Sequence, residues 1–198
     1  LYLGIENSKF IAEEKITRVG ACAGKLTGNG VLRDCYVKGS TIDSDSTSGV
    51  VVGALVGEQT DASRIESCYG YKNTVNGQND GRKHYGYITG YIGKNASADL
   101  VFTDGPQLCA DKQSGEENML RSNAGVDELR FQTGELCYLL SGSRNDNTPG
   151  RQTIKKDSVP FFGTTHKQVY RHPLAKQVLY TNSSDEPESV MLYLNPNY

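Results

Sequence analysis

The sequence lacks tryptophan, has no long hydrophobic run and carries almost no excess charge. Its apolar stretches stay well below the roughly 18 residues that a membrane-spanning helix requires, so we expect no insertion of this chain into a membrane. The formal net charge of −2 supplies no positive surface for nucleic acid or for an anionic bilayer. Neither nucleic acid nor a membrane is therefore an expected partner.

Motifs for catalysis and for metal binding are also missing. The sequence has no H-E-x-x-H and no G-x-S-x-G motif, and its histidines, His84, His166 and His172, lie far apart. Its five cysteines are odd in number and include no C-x-x-C pair, which argues against a disulfide scaffold and against a zinc site. A catalytic triad assembled from distant residues leaves no local motif and stays open. We predict that the chain is not an enzyme.

Short apolar runs and abundant turn residues are what the sequence does contain. Hydrophobic residues make up 36% of the 198 residues, there are 22 glycines, and the apolar runs are rich in Val, Ile and Tyr. Gly, Asn, Asp and Ser separate these runs, as they do in turn-rich β proteins. The composition predicts an all-β fold.

A regular repeat is the strongest pattern in the sequence. Gly20 to Val37, Gly53 to Tyr71 and Gly86 to Thr103 fall into register with one another. The aligned glycines are Gly20, Gly53 and Gly86, and then Gly24, Gly57 and Gly90. The period of about 33 residues lies within the range of roughly 20–50 residues that indicates a solenoid, a propeller or an array. Contacts between sequential turns favour a β-solenoid of β-helix type, in which we expect the glycines to let the chain bend or let turns approach closely.

Other columns of the repeat hold apolar residues that stacked turns would bury together. These columns are Leu32, Ile65 and Ala98; Cys35, Cys68 and Val101; Tyr36, Tyr69 and Phe102; and Ile42, Val75 and Leu108. Because valine shares a column with two cysteines, these cysteines read as small buried hydrophobes, with a strained disulfide as the alternative. The opening "LYL" lands on the Cys-Tyr column, so we expect the chain to begin partway through an earlier repeat.

The pattern divides the chain into three parts. Residues 1–110 form the predicted solenoid, 111–125 a polar linker, and 126–198 a C-terminal unit that covers an open end of the solenoid. Two short helical turns, broken near Thr133-Gly134 and ended by Gly142, are predicted at the start of this unit. Their shared apolar face would consist of Leu129, Phe131, Leu136, Leu139 and Leu140.

The repeats resemble a known motif. "GALVGE" followed by "IESCYG", and "GACAGK" followed by "LRDCYV", are similar to the GLUG motif, which recurs in large bacterial surface proteins. These include IgA-directed peptidases and many Bacteroidetes cell-surface proteins.

The downstream stretch resembles a segment that often follows such repeats. The matching positions are Gly134-Glu135, Leu140-Ser141-Gly142, Gln152-Thr153, Asp157, Pro160 and Val169-Tyr170. Gly150 departs from a common tryptophan, and Ser141 departs from a common asparagine. The two resemblances cover residues 17–170 and imply a secreted or cell-surface, adhesin-like repeat protein. They do not imply catalysis, since the repeats lie outside the catalytic machinery of those peptidases. Binding by shape-complementary contact along the solenoid face would need no cofactor.

Two acidic loops at equivalent repeat positions are candidate calcium ligands. Asp43, Asp45 and Thr47 alternate in the first loop, and Asn76, Gln78 and Asp80 match them in the second. Calcium takes about 6–8 hard oxygen ligands, which such loops offer. The same residues are ordinary turn formers, and neither loop supplies the glutamate of a helix-loop-helix calcium site.

Tyrosines concentrate in the third repeat. Tyr71, Tyr85, Tyr87 and Tyr91 could form an aromatic platform for sugar rings or for a partner protein. Tyrosine is also a favoured strand residue, so an ordinary structural role is the alternative.

These observations favour a non-enzymatic, surface-exposed module for cell adhesion or for binding a host glycan or extracellular protein. A structural spacer that projects other domains of a longer chain is the main alternative. A β-helix enzyme acting on glycans would need paired carboxylates. The relevant column, Arg33, Glu66 and Asp99, instead reads as alternating charge on a solvated face.

Overall fold

The computed structural model describes residues 2–13, 17–46, 49–77, 82–110, 118–142, 150–173 and 178–184. Of the described residues, 48% lie in strands and 8% in helices, which confirms the predicted all-β class.

The strands follow one another in similar segments along the chain. Segment 1 contains β1 (Leu3–Glu6), β2 (Lys9–Ala12), β3 (Arg18–Gly20) and β4 (Ala23–Leu26). Segment 2 contains β5 (Val31–Arg33), β6 (Cys35–Lys38), β7 (Thr41–Ser44), β8 (Val50–Gly53) and β9 (Val56–Gln59). Segment 3 contains β10 (Arg64–Tyr71), β11 (Thr74–Val75), β12 (Lys83–Gly86) and β13 (Thr89–Ile92). Then come β14 (Ser97–Thr103) and β15 (Met119–Leu120).

Each strand pairs in parallel with its equivalent in the next segment. Within the described residues this produces four ladders: A (β1, β6, β10, β14 and β15, with β5 beside β10), B (β2, β7 and β11), C (β3, β8 and β12) and D (β4, β9 and β13). Arg64 lies opposite Ser97 and Arg18 lies opposite Val51, and each pair is separated by one full period of the repeat. The register therefore confirms the predicted period. Leu3 lies opposite Cys35, so the opening residues continue the Cys-Tyr column. The separation of this pair along the chain is one residue shorter than the period of the repeat.

Ladder A has two buried faces, and this decides how the rest of the protein is arranged. On one face, Val37, Ile65 and Val101 join the core that ladders B, C and D enclose. On the other face, Tyr69 and Phe102 belong to a second apolar cluster that includes C-terminal residues. Cys35 and Cys68 lie in the first core, which confirms the prediction that they are small buried residues.

The two glycine columns have different physical roles. A Cβ atom on Gly53 would collide with the carbonyl oxygen of Val56, which begins the next strand of the same segment. This column is therefore needed for the bend between ladders C and D. A Cβ atom on Gly57 would lie 2.5 Å from the Gly24 oxygen and 2.8 Å from the Val19 nitrogen. The second column therefore lets ladder D lie directly against the backbone of ladder C. Both expected roles of the glycines are present.

After β14 the chain forms a shorter turn of the stack. The predicted repeat column of Ile42, Val75 and Leu108 is therefore wrong at its last member. The Leu55 amide donates to the Ile88 oxygen at 2.9 Å, and the Ile88 amide donates to the Leu108 oxygen at 2.9 Å. Leu108 therefore continues the Leu55 column and does not follow Ile42 and Val75 as predicted. After Thr103 the described chain passes to the next turn without further strands of ladders B and C.

The predicted polar linker contributes to the stack at its C-terminal end. Met119 lies opposite Ala98, so β15 adds a rung to ladder A, and the Asn123 amide donates to the Val101 oxygen at 3.0 Å. These pairs are closer in sequence than one full period, because the shortened turn needs fewer residues to return to ladder A.

A column of left-handed residues bends ladder A. Asp34, Ser67, Leu100 and Arg121 have φ angles of 55°, 51°, 54° and 47°. None is a glycine, although this conformation disfavours side chains. Neighbouring rungs impose the same bend on each residue, and this explains why the sequence did not indicate it.

The C-terminal unit begins with the two predicted helical turns, α1 (Glu128–Gln132) and α2 (Glu135–Leu140). The Leu129 amide donates to Asp127 Oδ1 at 2.7 Å, which caps α1, and Gly134 separates the helices at a φ of 90°. The hairpins β16 (Gly150–Arg151) with β17 (Phe161–Phe162), and β18 (Tyr170–Pro173) with β19 (Val178–Thr181), follow.

This unit packs against the side of ladder A and not over an open end as we expected. The Phe131 ring lies 4.5 Å from the Tyr71 ring, and the Tyr69 hydroxyl donates to the Pro160 oxygen. Phe131, Leu136 and Leu140 are buried in this contact. Leu129 was predicted to share their face but is 46% exposed, because it lies on the opposite side of α1.

We expect Gly57→Ala to lower the free energy of unfolding by about 2–3 kcal/mol, since the new methyl group meets backbone atoms on two neighbouring strands and neither can move away. Gly93→Ala is the matched control, because its Cβ would meet the Gln59 oxygen at an ordinary 3.4 Å. Denaturant unfolding of both variants measures the difference. Equal stability of the two variants would contradict the assigned role of the Gly57 column.

Candidate functional site

The four predicted binding tyrosines do not share an exposed face. Tyr71 is 2% exposed and packs against Phe131, and its hydroxyl donates to Glu128 Oε1 at 2.8 Å. Tyr85 is 6% exposed and belongs to the core that the ladders enclose. Two of the four rings therefore cannot offer their faces to a ligand. The prediction that all four tyrosines form one binding platform is wrong.

Tyr87 and Tyr91 are partly exposed and lie in different surroundings. Tyr87 packs against the core, with its ring beside Gly105. Tyr91 lies opposite Glu58 in ladder D, and its ring centroid is 6.1 Å from that of His84. Sequence spacing could not separate these positions, because Tyr87 lies in the bend between ladders C and D whereas Tyr91 lies in ladder D.

The acidic loops show a hydrogen bond between segments. Asn76 Nδ2 donates to Asp43 Oδ2 at 3.0 Å, and Asp43 Oδ1 accepts from the Ser44 amide at 2.7 Å. The Asp45 amide donates to the Ala12 oxygen at 3.1 Å. Thr47, Gln78 and Asp80 lie outside the described residues. Within the described ranges no group of three or more His, Cys, Asp or Glu side chains could hold a metal ion, and calcium binding stays a prediction.

All five cysteines are free thiols. Burial raises the pKa of Cys22 and of Cys137 to about 12, and it also raises the pKa of Cys68, so these three thiols stay protonated at neutral pH. A hydrogen bond from Cys68 lowers the pKa of the Cys35 thiol to about 7, but Cys35 is only 3% exposed.

The charged column on ladder A differs from the predicted alternation. Glu66 lies directly opposite Asp99, so two carboxylates are adjacent. Arg33 Nε donates to Glu66 Oε2 at 2.7 Å, and Arg121 Nε donates to Asp99 Oδ1 at 2.9 Å. Each carboxylate therefore has its own arginine, and the predicted pairing between turns is confirmed.

His166 is held by an aspartate and an aromatic ring. Its Nδ1 lies 2.9 Å from Asp157 Oδ2, and its ring stacks on Phe161 at 4.0 Å. Asp157 also accepts from the Thr153 amide. His172 Nε2 lies 3.1 Å from the Ser183 carbonyl oxygen, so each of these two histidines has a structural partner.

A groove with a volume of about 810 Å³ lies between α1 and β19. We call it the α1–β19 groove. Leu129, Ile154 and Val178 supply apolar walls, and Arg130, Glu135 and Lys155 supply charged groups around them. Leu129 is 46% exposed and Val178 is 43% exposed. The sequence did not indicate this groove, because Leu129 was predicted to share the apolar face of the two helical turns.

A second opening lies where ladder A meets the helices. This junction cleft has a volume of about 410 Å³ and is lined by Leu100, Phe102, Arg121, Asn123, Arg130 and Leu139, among others. Residues from the stack and from the C-terminal unit both contribute, so neither part of the sequence contains the cleft by itself.

Comparison with protein-family models, curated proteins and solved structures finds no match to this chain. The resemblance to the GLUG motif stays a prediction that rests on the quoted residues. None of the described helices is long and apolar enough to cross a membrane.

We expect Asp34→Asn to stabilise the protein at neutral pH. Burial raises the pKa of Asp34 to about 6. The native state therefore favours the protonated carboxyl, and this contribution to stability is present below about pH 4 and is lost as the pH rises through 6. Asparagine tolerates the left-handed backbone and carries no charge. The variant should gain about 1 kcal/mol over the wild type above pH 7, because half-exposure reduces the full effect, and almost nothing at pH 4.

Asp61→Asn is the control with the opposite sign. Asp61 is also left-handed, but hydrogen bonds from the Thr27 hydroxyl and the Gly28 amide lower the pKa of its carboxyl. Its ionised form is favoured in the native state, so the substitution should destabilise at neutral pH and not at low pH. Urea unfolding of the three proteins between pH 4 and pH 8 measures both effects. Parallel curves for the two variants would refute the assigned environments.

Proposed function

We propose that this chain is a non-enzymatic, surface-exposed module that supports adhesion or ligand binding, and that the α1–β19 groove is its binding surface. The repeats would form a β-solenoid of β-helix type, in a secreted or cell-surface protein with other domains. The exposed apolar lining of the groove is the observation that carries the proposal.

The ladder geometry supports the solenoid. Equivalent strands of successive segments pair in parallel, and the inward residues of successive turns form one core. Hydrogen bonds between backbones then run along the stack in every ladder. Such a stack is a rigid support for a surface that lies beside it.

The groove has the chemistry of a recognition site. Two large apolar side chains, Leu129 and Val178, are more than 40% exposed within one depression. Grouped exposed apolar residues with a polar rim are typical of ligand or protein contact sites. A host protein or a glycan that offers an apolar face would bury these side chains.

The paired charges of ladder A support a non-enzymatic role. General acid or base catalysis by two carboxylates requires groups that are free to exchange protons with a substrate. Glu66 and Asp99 are each held in an ion pair with an arginine, so neither carboxylate is free in this way.

A structural spacer is the second candidate. Ion pairs between successive turns pair charged side chains of the stack with one another. Examples are Arg33 with Glu66, and Lys25 with Glu58 at 3.2 Å. A module with this property can separate other domains without contacting a ligand. Absence of binding in the following experiment would favour the spacer.

We expect Val178→Ser and Leu129→Ser to weaken binding to a partner found by screening the purified chain against glycans, mucins and matrix proteins, with calcium and with EDTA. Each substitution removes an apolar contact from the groove, and we expect a loss of roughly tenfold in affinity. Since both side chains are exposed, stability should change little. Surface plasmon resonance or calorimetry measures the affinities.

The chain offers matched controls for both changes. Val31 is a strand valine with 42% exposure and Leu120 is a leucine with 53% exposure, and neither lines the groove. Val31→Ser and Leu120→Ser should leave the affinity unchanged. A partner that binds all four variants as it binds the wild type does not use this groove, and a partner lost only in EDTA uses metal ions instead.

A further inference from the structure

The junction cleft brings together two arginines from separate parts of the chain. Arg121 follows β15 on the stack, whereas Arg130 lies in α1 of the C-terminal unit, and both line the same opening of about 410 Å³. Their side chains are 65% and 34% exposed. Small-molecule sites commonly have volumes of about 300–1,000 Å³ and lie where two structural units meet.

Each arginine is held by a carboxylate through the same edge of its guanidinium group. Arg121 uses Nε and Nη2 toward Asp99, and the Nε–Oδ1 distance is 2.9 Å. Arg130 uses Nε and Nη2 toward Glu135 Oε1, at 2.9 Å and 2.8 Å. The guanidinium groups are therefore oriented before any ligand arrives, and less conformational entropy is lost on binding.

The other edge of each guanidinium group stays available. Among the described residues, neither Arg121 Nη1 nor Arg130 Nη1 makes a hydrogen bond. An arginine offers five N–H donors, so donors remain on both groups after the ion pairs are made. A carboxylate or sulfate oxygen is the acceptor that matches such donors best.

The remaining lining suits a ring with an apolar face. The partly exposed Leu139 supplies apolar surface, with Leu100 and Phe102 buried behind it. The exposed side chain of Asn123 supplies an amide without a hydrogen-bond partner in the described structure. A sugar ring presents C–H groups on one face and hydroxyl groups at its edge. An acidic sugar therefore matches the apolar surface, the amide and the two guanidinium edges together.

We propose that the junction cleft binds an acidic sugar unit of a glycan through Arg121 and Arg130. This proposal rests on the ligand-binding role proposed above and names a second surface and the chemical class of its ligand. Because Asp99 and Glu135 partly neutralise the two arginines, the affinity for a single unit is modest. It depends on the paired donors more than on net charge.

Calorimetric titration with tetragalacturonic acid, and with neutral maltotetraose for comparison, tests the proposal. We expect saturable binding of the acidic tetrasaccharide and none of the neutral one. Arg121→Gln and Arg130→Gln should each weaken binding about tenfold, since each removes charge-assisted hydrogen bonds. Thermal unfolding of each variant checks that the fold is kept.

Arg33→Gln is the matched control. Arg33 donates to Glu66 through Nε and Nη2, as Arg121 does to Asp99, but Arg33 does not line the cleft. This variant should bind as the wild type does. An equal loss in Arg33→Gln, equal binding of maltotetraose, or no binding of the acidic sugar would overturn the proposal.

A sulfated tetrasaccharide separates the two sources of the oxyanion. Equal binding of the sulfated and carboxylated sugars assigns the cleft to oxyanion-bearing sugars in general, and preference for one of them narrows the class. The groove variants Val178→Ser and Leu129→Ser should leave these titrations unchanged. Loss of the acidic-sugar signal in the groove variants would place its site in the α1–β19 groove and overturn the cleft assignment. A screening partner that is sensitive only to the groove variants would leave the proposed function standing without the cleft.

Discussion

Backbone contact between ladders C and D is the constraint on which the rest of the structure depends. A methyl group on Gly57 would meet peptide atoms of both Gly24 and Val19, and a methyl group on Gly90 would meet those of Val52. No side chain fits between the two ladders there, so the backbones of ladders C and D lie close together at this corner. The bulky residues of each turn therefore lie away from this contact. Apolar side chains of the ladders and of the turn that holds Leu55 and Ile88 point inward and form a continuous core.

The same constraint explains why the C-terminal unit docks where it does. With its inward face already used, ladder A carries a second apolar face that water would otherwise cover. Tyr36 and Tyr69 stack at 5.1 Å on that face, and Phe131 contacts Tyr69 and Tyr71 from α1. Burial of these rings fixes the helices beside the ladder. The junction cleft follows from this docking, because residues of ladder A and of the two helices line it together.

The features that the sequence predicts are those that one residue type alone can satisfy. The glycine columns and the Gly134 break between the helices belong to this group, because a side chain at these positions would collide or strain the backbone. The left-handed turn at Leu100 does not, since neighbouring rungs impose it on a residue that disfavours it. Leu108 was misplaced because its spacing from Val75 still matches the repeat although the circuit between them is shortened. The two candidate binding surfaces escaped prediction because the residues that line each of them lie far apart in the sequence and meet only in the folded chain.

The end of the charged column shows how a repeating stack can acquire a site without any special motif. Inside the stack, Glu66 and Asp99 face each other and each needs an arginine from the next rung outward. Arg121 fills this need for Asp99 with one edge of its guanidinium group, and no described residue of the stack uses the other edge at this last rung. The docked helix places Arg130 at the same opening, again with one edge engaged. We therefore expect recognition chemistry where the described repeat ends and the C-terminal unit begins, and less along the regular faces, where Arg33 and Lys25 are paired with carboxylates of neighbouring turns.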